Sequence, residues 1–68
     1  MIDAYTLEQC RNDEEVLHIK IKNLEHAIQQ SEAMIAESSM DGEALTFLRR
    51  KVAESMQDLE VLYLLKND

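Results

Sequence analysis

Proline and tryptophan are absent from the 68 residues, and glycine, cysteine and phenylalanine occur once each. Each scarcity excludes something. An all-β chain needs turn formers every few residues, and one glycine with no proline cannot supply them. A lone Cys10 has no partner for an internal disulfide, so a disulfide-stapled scaffold is out, and an unpaired thiol suits a reducing compartment. With two tyrosines and one phenylalanine there are few large side chains to anchor a core. Long apolar runs are also missing. The longest is Val61–Leu65, far short of the ~20 residues that cross a bilayer. The first five residues, Met1-Ile2-Asp3-Ala4-Tyr5, have neither a basic flank nor an apolar stretch, so no secretory signal is expected.

Positive charge is scarce too: 7 Lys and Arg against 14 Asp and Glu give a net charge of −7, which repels nucleic-acid phosphates. The one basic run, Arg49-Arg50-Lys51, spreads around a helical turn, and Glu54 stands four residues beyond Arg50. It reads as a solvated helix face. What remains is rich in Leu, Ile, Ala, Glu, Gln and Met, the strong helix formers.

Their spacing is helical. Leu7, Cys10, Glu14, Leu17, Ile21, Leu24, Ile28, Ser31 and Ile35 alternate steps of three and four, and only Glu14 and Ser31 are polar. A second seam follows Leu45, Leu48, Val52, Ser55, Leu59, Leu62 and Lys66, widened by Met56 and Tyr63. Between them the period breaks at Glu37-Ser38-Ser39-Met40-Asp41-Gly42, where Asp41 can cap the following helix. This predicts an all-α fold, an antiparallel coiled-coil-like two-helix hairpin in a single domain. Helix one is expected over 14–37, a turn over 38–42 and helix two over 43–66. A turn centred near Ser39 places Ile35 against Leu45, Ile28 against Val52, Ile21 against Leu59 and Leu17 against Leu62, with Glu14 near Lys66. Residues 1–13 have no partner in that register and are expected as a flexible or short helical extension, with capping signals at Thr6-Leu7-Glu8-Gln9 and at Asn12-Asp13-Glu14-Glu15.

Two helices bury too little apolar area to offset the ordering of the chain. Val61 through Leu65 also cannot share one face, because neighbours on a helix point about 100° apart. A surplus of apolar side chains at the open end therefore predicts a contact surface for a partner, assigned to Val16, Ile19, Val61, Leu64 and Leu65.

Catalytic chemistry finds no foothold. Glu15-Val16-Leu17-His18 has the Glu-x-x-His spacing of carboxylate-bridged metal sites, but helix two offers no acid at its seam to complete one. His26 lies two turns beyond His18, too far to chelate with it. Cys10, Glu14 and His18 would share a face of one continuous helix, without a pocket around them. Met34, Met40 and Met56 read as gap-filling core. No phosphate-binding glycine loop or nucleophile elbow occurs. No enzyme activity, cofactor, metal, nucleic-acid partner or membrane partner is expected.

Residues 14–66 resemble the E-type (YscE/PscE-like) co-chaperones of type III secretion needle subunits, which are small acidic helical hairpins. The likeness rests on Leu24-Glu25-x-Ala27-Ile28, on Asp41 followed by Leu45 and Leu48, and on the apolar tail Leu59-x-Val61-Leu62-Tyr63-Leu64-Leu65. It implies a partner: a larger tetratricopeptide-like chaperone that, with this protein, holds the needle subunit soluble and unpolymerised in a heterotrimer in the bacterial cytoplasm. The residues alone also accommodate a homo-oligomeric helical bundle with a structural or regulatory role, self-association of the isolated chain, and a small adaptor such as an antitoxin or anti-activator.

Overall fold

The computed structural model describes residues 2–37 and 42–66. Among them the chain forms three helices, α1 (Ala4–Asn12), α2 (Glu14–Glu37) and α3 (Gly42–Lys66). The expected two-helix hairpin is therefore incomplete as a description. The N-terminal segment adds a third helix that packs on the other two. The expected turn, apart from Gly42, and the cap assigned to Asp41 lie outside the described residues, as does Met40.

The two long helices follow their seams. Leu17, Ile21 and Ile28 of α2 and Leu62 of α3 are buried, and Leu24, Ile35, Leu45, Leu48, Val52 and Leu59 are half-buried along the same stripes. Ser31 and Ser55 are half-buried there as small polar fillers. Val52 lines a groove with Ile35, and Leu59 lines another with Ile28. Helix α3 opens on Gly42 at φ 61°, a left-handed value at which a Cβ is strained, which explains why the chain's only glycine stands here. The Gly42 carbonyl accepts the Thr46 hydroxyl at 3.1 Å.

Local capping chemistry separates α1 from α2. Asp3, in extended backbone, caps α1: its Oδ1 accepts the Thr6 N–H at 2.7 Å. That bond holds the Asp3 carboxyl below the usual carboxylate range. Thr6, expected as the cap, is instead the donor, because the helix starts one turn earlier where a carboxylate is available. Asp13 then serves two helices. Its N–H donates to the Gln9 carbonyl at 3.0 Å, closing α1, while its Oδ1 accepts from Glu15 N at 3.0 Å and Val16 N at 3.4 Å, opening α2. At φ −138° and ψ 107° the single residue Asp13 turns the chain back on itself.

Helix α1 consequently lies along the open end of the hairpin, antiparallel to α2. Its start reaches Leu24 and Asp58, where the Ile2 N–H donates to Asp58 Oδ1 at 3.2 Å. Further along, Cys10 enters the cluster of Leu17, Ile21 and Leu62, with Ile2, Val16, Leu24, Leu59 and Leu65 packed around it. Among the described residues Cys10 and Leu62 are the two most completely buried side chains, each 1% exposed. The core thus sits where three helices meet, at the end that a two-helix hairpin leaves open.

Candidate partner-binding surface

The five residues assigned to a partner divide in this fold. Val16 and Leu65 are half-buried and pack against the cluster around Cys10, so α1 has taken part of the surplus apolar surface for itself. Ile19, Val61 and Leu64 remain exposed, at 51%, 40% and 65%. Val61 and Leu64 are three residues apart on α3 and form one stripe with Leu65. Ile19 stands on α2, one turn beyond Val16. The structure therefore leaves Val61 and Leu64 exposed on α3 and Ile19 exposed on α2, with Val16 and Leu65 half-buried.

Sequence reasoning missed Tyr5 and Phe47, which are 72% and 61% exposed. Phe47 falls between seam positions Leu45 and Leu48, an offset that could have marked it as outward-facing. Its ring lies under the Lys51 ammonium, 5.7 Å from Nζ to the centroid, within cation–π range. Tyr5 receives a bond from Gln9 Nε2 at 3.0 Å and flanks a groove with Gln9 and Val16. Met34 and Met56, expected as core, are both exposed, because the seam between α2 and α3 is narrow enough for Leu, Ile and Val to fill.

The opposite face at the open end carries a second groove of about 370 Å³ over Leu17 and Ile21, rimmed by Glu14, Glu15, His18 and Lys66. The face shared by Cys10, Glu14 and His18 in a continuous helix does not exist, since the chain reverses at Asp13. Cys10 points into the core and His18 into solvent. Among the described residues no group of three His, Cys, Asp or Glu side chains is placed to hold a metal ion, and no helix is long and apolar enough to cross a membrane.

Higher on the same face, the Tyr63 hydroxyl donates to Glu25 Oε2 and ties α3 to α2. Lys22 approaches the same carboxylate at 3.8 Å, an exposed pair worth little. The bond to Glu25 is the main reason the Tyr63 phenol ionises above its ordinary value of 10.0. A pKa raised in the folded state stabilises the fold below the unfolded value, and that stabilisation is lost as pH rises through the folded value. The expected result is a stability difference between wild type and Tyr63→Phe that stays level from about pH 7 to 9 and shrinks at higher pH as tyrosinate forms. Urea unfolding of both proteins across that range checks it, and a difference that does not change with pH would show the bond to be absent in solution.

The molecule is elongated, 42 × 18 × 16 Å. Its accessible surface of 5387 Å² exceeds the roughly 4,400 Å² expected of a compact monomer of its mass. Compared with protein-family models, curated proteins and solved structures, the chain matches none.

Proposed function

We propose that this protein is a co-chaperone of a type III secretion system. It binds and stabilises a larger tetratricopeptide-like chaperone, and the pair keeps the needle subunit soluble and unpolymerised in the bacterial cytoplasm. Its role is binding, without catalysis or a cofactor. The observation that carries this reading is the pair Val61 and Leu64 on α3, which stays open to solvent while the neighbouring Leu65 packs half-buried against the cluster around Cys10. A helix that shows apolar residues at three- and four-residue steps beside polar ones suits the groove between stacked helical pairs, where tetratricopeptide-like proteins take up helices. The acidic charge of the chain restricts such a partner to a neutral or basic groove.

The test is co-expression with tetratricopeptide-like chaperones encoded near needle-subunit genes, followed by affinity purification. A stable complex is expected. Leu64→Asp should weaken it by at least about tenfold while leaving the isolated chain folded, because an exposed side chain carries little folding energy. Failure of every such chaperone to co-purify, or wild-type affinity in Leu64→Asp, overturns the assignment.

A further inference from the structure

We infer that α1 is an exchangeable helix: the chain can straighten at Asp13 and form a dimer in which each copy's α1 occupies the other's groove. This stands independently of the proposed function.

The argument starts at the hinge. Helical hydrogen bonds already run to Asp13 from both sides, from its own N–H to the Gln9 carbonyl and from the Leu17 N–H to its carbonyl at 3.1 Å. Only Glu14, Glu15 and Val16 would need to redirect their N–H groups, to the carbonyls of Cys10, Arg11 and Asn12, for residues 4–37 to become one helix. No proline or glycine stands in that span to prevent it. The apolar spacing Leu7, Cys10, Glu14, Leu17 continues through the break without a phase change, so the same sequence supports both forms.

A straightened monomer would leave Cys10 and Ile2 without their groove, and expose Leu62, Leu17 and Ile21. A second straightened copy removes that penalty. In the bent form Ile2 lies by Leu24 and Cys10 packs with Leu17, so Asp13 falls midway between the partners of each pair. Two straight helices crossing antiparallel with a two-fold axis at Asp13 therefore reproduce these contacts between copies. The exchanged dimer keeps the contacts of Ile2 and Cys10 and adds three main-chain hydrogen bonds per hinge. Against this stand the loss of the two Asp13 capping bonds and the approach of Asp13, Glu14 and Glu15 from both chains at the axis. The bent monomer is accordingly favoured in dilute solution and the exchanged dimer at high concentration.

Two hinge variants act in opposite directions. Glu14→Pro places proline at the first position of α2, which the bent form tolerates, with Asp13 already in the extended conformation that proline prefers before it. In a continuous helix the same proline loses a hydrogen bond and clashes, about a hundredfold penalty per hinge and roughly 10⁴-fold for the dimer. Asp13→Ala removes the cap of the bent form and should strengthen dimerisation by roughly 10- to 100-fold. Each protein is refolded from urea at about 5 µM and about 1 mM, then sized by light scattering after chromatography. Expected are dimer for the wild type at the high concentration only, more dimer for Asp13→Ala and monomer throughout for Glu14→Pro. Insertion of Gly-Ser-Gly between Asn12 and Asp13 should also give monomer, and it serves if the proline variant does not fold. Wild-type dimerisation in both of the blocking variants, or no dimer from either the wild type or Asp13→Ala at the high concentration, overturns the inference.

Discussion

Leu62→Ala is expected to bring the protein to the edge of unfolding at room temperature. Leu62 is the one α3 residue buried in the cluster where all three helices meet, in contact with side chains on α1 and α2. Truncating such a leucine costs about 2–5 kcal/mol, the loss of burial plus the cavity left behind. A chain of this length has a total stability of roughly 3–10 kcal/mol, so one substitution consumes between about a fifth and all of it. The melting temperature should fall by roughly 15–35 °C, since a small domain loses about 7 °C per kcal/mol. Ile19→Ala, at an exposed position on α2, provides the control and should change stability by less than about 0.5 kcal/mol. Thermal unfolding followed by circular dichroism measures both. If Leu62→Ala melts within a few degrees of the control, the three-helix cluster is not the core in solution.

The helical class and the two long seams were legible because burial follows a period. From Leu17 to Ile35 and from Leu45 to Leu62, every seam position is buried or half-buried. The fold-back of α1 was not legible from periodicity. The spacing through Leu7, Cys10, Glu14 and Leu17 is that of one straight helix, and only the capping power of Asp13 opposes it. Two local preferences compete at that residue, and the burial of Cys10 against Leu62, a contact distant in sequence, decides between them. The candidate surface divides for the same reason. Ile19, Val61 and Leu64 stay open because they lie away from both seams, which their positions already implied. Val16 and Leu65 lie on flanks that α1 claims, and nothing in their own spacing announces a third helix. Phe47 and Tyr5 are single aromatics off both seams, so neither the helical period nor the apolar surplus around Val61 points to them.

The same dependence on one contact makes Cys10→Asp the most informative substitution in α1. Cys10 is the only buried residue of that helix, and Ile2, just ahead of it, is half-buried against the same cluster and donates its N–H to Asp58. A carboxylate in its place must lose its water among the apolar side chains of Leu17, Ile21 and Leu62. The cost of an unpaired buried charge is several kcal/mol, more than a nine-residue helix gains by docking. The helix should therefore detach and melt, since so short a segment is not stable alone in water. Beyond Leu24 and Leu59 the seam between α2 and α3 does not involve α1 and should persist. Amide hydrogen exchange separates the two regions: residues 4–12 are expected to lose protection by at least about tenfold, while Ile28 and Val52 retain part of theirs. Cys10→Ala, which leaves a small apolar side chain and no charge, should keep α1 docked at a cost of about 1 kcal/mol. Unchanged protection over 4–12 in Cys10→Asp would mean that α1 is not held by the cluster. Equal loss along the whole chain would mean instead that the three helices fold as one unit, with no stable hairpin beneath the first.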